Sequence, residues 1–355
     1  MKKNKIVGLI AGIASSALVL TGCGSVETSE TSSASEGGAG TSSSEWQAPE
    51  GLTGEISYYS ANPQGLTDAL VEEFEQKTGV KVNVYADTTG KITARIKAEE
   101  ANPQADIIYL ASWSAASKQA ESGALEEYTP EGSDAVHDKW VSPTGQFIGR
   151  DGSALALVVN TEATDGKPTD WKDLADEQYK DQVIMPDPRE SGTAADLIAA
   201  MVSKWGEDKT WELFDSLFAN GMVVQGANGP ALDAVKSGSK AVVFGGVDYS
   251  AYSGQQKGEP LEVIIPASGT TITPRPVMIM KSSDNKEAAE AFADFMFSKE
   301  AQEISASKNM IPGREDVEAK AGPNYSEITQ FSDDWDTIVD SSADIRDKFV
   351  ERYLK

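Results

Sequence analysis

The sequence predicts an α/β protein in two lobes. Three observations carry the prediction. Between Glu55 and Leu110, segments of strand and helix character alternate as β-α-β-α-β, an order that closes on a parallel sheet. A second alternation of the same kind follows a buried run at Ala154 to Asn160. About 300 residues remain after a low-complexity N-terminal stretch, enough for two separate cores.

The N-terminus comes first. Lys2, Lys3 and Lys5 precede an apolar run from Ile6 to Leu20 that holds no acid, the pattern of a signal peptide and not of a fold element. The run ends in Leu20-Thr21-Gly22-Cys23, which resembles the lipobox of bacterial lipoproteins; the resemblance implies that Cys23 becomes a lipidated first residue, a membrane anchor. A plain signal peptide with an incidental cysteine is the alternative. Cys23 is the only cysteine, so an intramolecular disulfide and a cysteine metal cluster are both excluded. From Gly24 to about Gly51 the chain is Ser, Thr, Gly, Ala and Glu, the composition of a flexible tether. The expected organisation is residues 1–22 as signal peptide, 23–53 as lipidated cysteine and tether, 54–153 with 270–355 as one lobe, and 154–269 as the other. The formal charge is -25, and residues 1–22 hold three lysines and no acid, so their removal takes it to -28. Such a charge disfavours nucleic acid and anionic lipid as partners.

In the first unit Glu55 to Tyr59 alternates as a strand, Ser60-Ala61-Asn62-Pro63 turns, and Leu66 to Thr78 carries Leu66, Ala69, Leu70 and Phe74 at helical spacing. Gly79 closes that helix. A strand Val80 to Tyr85, a loop Ala86 to Gly90, a helix Lys91 to Ala101 and a short apolar strand Asp106 to Leu110 follow. Ligands of parallel sheets gather beyond the carboxyl ends of the strands, where helix N-termini leave N–H groups free. Ser60, Asn62, Thr88, Thr89, Gly90, Ser112 and Trp113 are the contacts this places in the first lobe.

In the second unit Trp171 to Leu174, a strand Val183 to Met185, the loop Pro186 to Thr193 and a helix Ala194 to Trp205 come first, then a helix from Lys209 to Ala219. Val223-Val224 leads into the loop Gly226 to Pro230, which carries Asn228, and a helix to Ser237. Ala241 to Phe244 is a strand ending at Gly245-Gly246-Val247-Asp248-Tyr249. Leu261 to Ile265 and Val277 to Met280 are strands, and Pro274-Arg275-Pro276 between them returns the chain to the first lobe. Helices Asn285 to Phe297 and Lys299 to Ser307 are amphipathic and are expected on the first lobe's sheet.

Ser191, Gly192 and Thr193 form the strongest local site signal. They stand where a helix N-terminus leaves about four N–H groups unpaired, and an anionic oxygen fits there. The same hydroxyls can equally cap their own helix. Arg189 and Arg275 fall in loops expected near a cleft, where a guanidinium grips phosphate or carboxylate through two bonds; either can also be a solvated or structural arginine.

The order of "EEFEQKTGVKV", "ARIKAEEANPQADI", "SGALEEY", "MPDPRESGTAADLIAAM", "FGGVDY", "PRPVMIMKSSDNKEAAEAFADFM" and "SKEAQE" resembles the extracellular solute-binding proteins of ABC importers, in the group that binds ferric iron, thiamine, phosphonates and sugar phosphates. The resemblance runs from Glu55 to about Arg314. It implies a two-lobed periplasmic-binding-protein-like type II fold with two hinge crossovers, bending near Gly152 to Ser153 and Thr270 to Pro274. It also implies a small-molecule solute caught by closure, ABC permease subunits as partners, no cofactor, a monomer, and an extracytoplasmic location. Lipid attachment would be the sole membrane contact, and the long tether points to a Gram-positive surface.

Ferric-binding members of that group carry two adjacent tyrosines where this chain has Asp248-Tyr249, with Tyr252 three residues on. The missing tyrosine favours a phosphorylated or phosphonate-bearing solute, with Asp248 for an amine or hydroxyls and Trp113 or Tyr249 packing on the organic part. Iron held by Tyr249, Tyr252, an acid and a bound anion is the alternative. A thiamine binder ranks behind both. Ser191 has no GxSxG setting, His137 lies in a polar loop, and no phosphate or dinucleotide glycine pattern occurs, so a lipoprotein hydrolase or an adhesin ranks below a binder.

Overall fold

The computed structural model of the protein describes residues 45–332 and 334–355; the expected signal peptide, Cys23 and most of the expected tether lie outside the described residues. The first unit is β1 (Glu55–Ser60), α1 (Gln64–Thr78), β2 (Lys81–Ala86), α2 (Thr89–Ala98), β3 (Ile107–Tyr109) and α3 (Trp113–Glu121). β1 runs parallel to both β2 and β3, with Glu55 opposite Lys81 and Tyr58 opposite Ile107. Gly79 ends α1 as expected: its φ of 74° suits a residue without Cβ, and its N–H reaches the Glu75 carbonyl. α2 starts two residues ahead of the sequence reading because the Thr88 side chain caps it by accepting from Lys91 N–H. It ends before the expected Ala101, with Pro103 biasing the preceding residue away from helix.

β4 (Ile148–Asn160) is longer than expected and buried along its whole length. Only its apolar second half is legible as a strand; the polar first half is held by charge. Arg150, itself fully buried, donates to Met296 O at 2.9 Å and Ala301 O at 2.6 Å and pairs with Asp151 at 2.7 Å. Buried ions need this degree of satisfaction.

The second unit comprises β5 (Val183–Met185), α4 (Gly192–Trp205), α5 (Glu207–Ala219), β6 (Val223–Val224), α6 (Asn228–Lys236), β7 (Val242–Val247), α7 (Asp248–Gln256) and β8 (Leu261–Ile264). Then follow β9 (Ile272–Ile279), α8 (Lys286–Phe297), α9 (Lys299–Ser307), β10 (Ile311–Pro312) and α10 (Trp335–Tyr353). The strands lie in the order β2-β1-β3-β9-β4-β7-β5-β6, with β8 and β10 also paired to β4. β4 and β9 are antiparallel to each other. Each is shared between the two halves: β9 meets β3 at Val277 to Ile279, and β4 meets β7 at Leu155 to Val159. These are the two crossovers.

Pro274-Arg275-Pro276 is part of β9 and not a loop before it. Proline lacks a ladder donor and avoids strand interiors. A residue's N–H and C=O point the same way across a strand, and Pro276 O accepts from Leu110 N–H, so both prolines turn their donor-less side towards β3. β3 ends at Tyr109, opposite Val277, and asks nothing of them.

α8 and α9 take their expected place: Phe292 sits 4.7 Å from Phe74 and edge-on to Tyr58 at 5.2 Å. α10 has no counterpart in the sequence reading, since its stripe of Trp335, Ile338, Ile345 and Phe349 is sparse among acids and serines. Placed by sequence with the first lobe, it packs Phe349 on Phe214 at 5.0 Å, stacks Tyr353 on Phe218 at 4.4 Å, and pairs Lys348 with Glu207 of α5. Its first residue, Trp335, lies 6.4 Å from Trp113 of α3.

Candidate functional site

The C-terminal end of β1 and the N-termini of α1, α2, α4, α6 and α7 converge on a cavity of about 390 Å³. Asn62, Thr88, Thr89, Ser191, Asn228 and Tyr249 are among its walls.

The start of α4 is tied to the start of α6. Ser191 Oγ accepts from Ala194 N–H at 3.2 Å, so it does cap its own helix, and it also lies 3.0 Å from Thr193 Oγ1 and 2.9 Å from Asn228 Oδ1. Asn228 Nδ2 donates to Thr193 Oγ1 at 3.0 Å. Among the described residues, the N–H groups of Gly192, Thr193, Asn228 and Gly229 have no acceptor. Two helix N-termini thus offer unspent donors and the positive ends of their dipoles to one space.

Arg275 lies behind the wall formed by Ala61, Asn62 and Tyr249 and is fully buried. Nε donates to Asn62 Oδ1 at 2.8 Å, Nη2 donates to Ala61 O at 3.0 Å and to Asn62 Oδ1, and the guanidinium lies 5.4 Å from the Tyr249 ring centre. Asp151 Oδ1 is 3.6 Å from Nε. Nη1 has no hydrogen-bond partner among the described residues. A buried donor on a cation is costly to leave unmade; the guanidinium lies behind Asn62 and Tyr249 of the wall without itself lining the cavity.

The remaining expected contacts divide. Thr89 lines the cavity and accepts from Ala111 N–H at 3.2 Å. Ser60 is buried behind it, sharing a hydrogen with Thr67 at 2.8 Å and accepting from Asn62 Nδ2 at 3.3 Å. Asp248 also turns inward, accepting from Tyr249 N–H at 2.8 Å; burial pushes its carboxyl up to about 7 against backbone donors and Arg275. Trp113 does not reach the cavity, because its ring is buried 4.7 Å from Phe147. Arg189 is spent on Asp187, with Nε 3.0 Å from Oδ1, and faces a separate groove that Gly90 also lines. A Cβ on Gly90 would stand 2.3 Å from the Arg189 carbonyl oxygen, so the glycine serves close approach, and it does not line the cavity. Tyr252 lies outside the lining, its hydroxyl against Gly322, and burial raises it to about 12.

Asp196 of α4 was not foreseen. It is buried, and it accepts from Ser112 Oγ–H and Trp113 N–H, both at 3.1 Å. One turn into a helix that otherwise reads as apolar, its acid could have been the signal: a lone carboxylate on a buried face needs a partner. No group of three His, Cys, Asp or Glu that could hold a metal ion occurs among the described residues.

The chain matches the family described as bacterial extracellular solute-binding proteins over residues 102–340, about two thirds of its length. It belongs to that family. As a solute-binding protein of an ABC importer it serves a small-molecule ligand and a permease, and its relatives work outside the cytoplasm. The periplasmic binding protein AfuA of Actinobacillus pleuropneumoniae, solved with fructose-6-phosphate, superposes with a TM-score of 0.78 at 26% identity, covering 84% of this chain and 98% of that one. Iron uptake protein A1 of Synechocystis sp. is 27% identical over 272 residues, 72% of this chain and 74% of the relative. A putative 2-aminoethylphosphonate-binding periplasmic protein of Salmonella typhimurium is 24% identical over 295 residues, 77% and 84% of the two chains. The fold is the type II periplasmic-binding-protein fold that the resemblance implied.

Proposed function

We propose that this solute-binding protein captures a small organic anion carrying a phosphate or phosphonate group in the cavity between its lobes. The observation that carries the reading is the buried Arg275, whose Nη1 has no partner among the described residues, set behind a wall onto which N–H groups of α4 and α6 that lack acceptors among the described residues also open. Donors of this kind, aimed from several helix N-termini, favour a compact multi-oxygen anion. The solved relative with fructose-6-phosphate and the curated phosphonate-binding relative support the same class.

Residues 54–153 with the segment from 270 through β10 form one lobe in this reading, and residues 154–269 with α10 form the other, with β4 and β9 as the hinge. Solute bound to one lobe draws in the other, and the closed shape signals loading to the permease. The protein binds without turnover and acts as a monomer. Lipidation at Cys23 tethers it to the cell membrane, on a Gram-positive surface. Cys23→Ser is expected to move the protein from the membrane fraction to the soluble one; retention in the membrane fraction would count against the anchor.

Tyr249 on the cavity wall supports ferric iron as a second reading, in line with the iron uptake relative. Thermal unfolding of the solute-stripped protein separates the two. Sugar phosphates, glycerol phosphates, aminoalkylphosphonates, thiamine, citrate and ferric citrate are the probes. At a hundred times Kd a true ligand stabilises the native state by about 2.7 kcal/mol. A shift with a phosphate or phosphonate, lost in Thr193→Ala, supports the organophosphate; a shift with ferric citrate alone, lost in Tyr249→Phe, replaces it with iron.

A further inference from the structure

α4 and α3 belong to different lobes in the reading just given, on which this inference rests, and they touch at one polar point. Asp196 on α4 accepts from the hydroxyl of Ser112 and the N–H of Trp113, both at 3.1 Å. Ser112 is the cap of α3, its Oγ accepting from Ala115 N–H at 3.2 Å. The carboxylate therefore completes the N-terminus of a helix from outside it, where an acid is favoured by the dipole. A turn earlier on α4, a Cβ on Gly192 would stand 2.6 Å from Ser112 Cβ and 3.1 Å from Thr89 Cβ. The contact is thus made only when the two helices are pressed together.

We propose that Asp196 is the latch of the closed state: its two hydrogen bonds to the start of α3 form when the lobes come together and are released to water when they part. The solute cavity lies on one side of this contact, with Thr89 and Gly192 in its wall. A second, smaller cavity of about 140 Å³ lies on the other, lined by Thr89, Gly192 and Asp196 among others. Solute capture and latch formation then act on the same movement, although Asp196 does not touch the solute.

The latch is a titratable group that opening re-exposes. Lys118 of α3, Arg189 before α4 and Arg346 of α10 line the smaller cavity with it, and no titratable group of α2 does. Arg189 and Arg346 are already paired, with Asp187 and Asp347. Burial nevertheless dominates and lifts the carboxyl to about 7, against the nearby hydroxyls of Ser114 and Ser112 and the backbone N–H groups, which favour the charged form. An open molecule returns Asp196 to the ordinary carboxylate range. Closing therefore takes up a proton, and its advantage is full below that range and fades as pH rises through about 7. Asp248, buried by the solute cavity and also near 7, pulls in the same direction, so the two acids must be separated by variants.

The test needs no solute. In the full chain carrying Cys23→Ser, nitroxide labels at Lys97→Cys on α2 and Lys204→Cys on α4 report the lobe separation by pulsed electron resonance from pH 5.5 to 8. The wild-type ratio of closed to open molecules is expected to fall with rising pH, by up to about tenfold per unit. Asp196→Asn keeps an acceptor for Trp113 N–H and removes the charge; it should flatten the profile and be more closed than wild type at pH 8, a gain that mere damage to packing would not give. Asp196→Leu, if folded by circular dichroism, should stay open throughout. A wild-type profile in Asp196→Asn, or a flat profile from Asp248→Asn alone, would overturn the latch. Failure of fructose-6-phosphate and 2-aminoethylphosphonate to bind would instead strike the proposed solute class and leave this result standing.

Discussion

Replacing Arg275 by Met keeps an unbranched side chain, shorter by the guanidinium end, and removes its charge and every donor. In the folded protein the substitution deletes the bonds to Asn62 Oδ1 and Ala61 O and leaves Asp151 with Arg150 and Ser305 as partners. Removing one member of a buried ionic group costs about 3–5 kcal/mol when the other is left uncompensated. Because Asp151 retains partners, we place the loss of folding stability at the lower end, about 3 kcal/mol. The loss of solute affinity is separate from this. Among the described residues Nη1 has no hydrogen-bond partner, and a hydrogen bond to a charged group contributes about 1.5–3 kcal/mol, which is roughly 10–150-fold in Kd. Isothermal titration calorimetry with whichever phosphate or phosphonate shifts the unfolding curve, alongside guanidinium unfolding of the same samples, measures both quantities. A variant that loses about 3 kcal/mol of stability yet binds within threefold of wild type would refute the reasoning: Arg275 would then serve only the hinge, and the anion would be held elsewhere.

Thr193→Val removes one hydroxyl of the Ser191, Thr193 and Asn228 group without opening a void, and is expected to weaken anion binding about tenfold while shifting Tm by no more than a few degrees; calorimetry and a thermal scan check the two together. Gly192→Ala places a methyl 2.6 Å from Ser112 Cβ, so closure should be obstructed and affinity should fall by at least about tenfold, with X-ray scattering showing an expanded molecule in the presence of solute; an unchanged scattering profile would contradict it. Asp248 carries a raised pKa in the folded state, so its contribution to stability is complete below the ordinary carboxylate range and drains away as pH rises through about 7. Asp248→Asn should accordingly gain stability relative to wild type between pH 5 and pH 8 in denaturant titrations.

The elements that announce themselves by period were legible: α1, β5 and α9 fall within two residues of their expected limits because apolar spacing and end residues agree there. The first half of β4 was not, since Gly149, Arg150, Asp151 and Gly152 become strand only through partners on α8 and α9, far away in sequence. α7 has no counterpart in the sequence reading, where the strand from Ala241 ends at Gly245 to Tyr249: Asp248, Tyr249, Ser250 and Tyr252 have no apolar stripe, yet Asp248 accepts from the Tyr249 N–H in the first turn of the helix. Among site residues, helix N-termini were well marked by Thr88, Ser112 and Ser191, each of which caps its helix. What spacing could not supply was the direction of a side chain. Trp113 and Arg189 stand beside the site in sequence and turn away from it, and Asp196 turns towards a helix eighty-odd residues distant.

The two prolines of β9 bear on what happens when the molecule opens. In the proposed opening the stretch of β9 beyond the end of β3 would be uncovered, and an uncovered strand edge invites pairing with any extended chain nearby. In that reading the exposure would recur in every transport cycle. At Pro274 and Pro276 that edge presents carbonyls and no N–H, so an invading strand finds two of its donors missing. In that cycle the same pair of residues that the sheet accommodates at rest would guard against aggregation, a protection that strand-forming residues at 274 and 276 would remove.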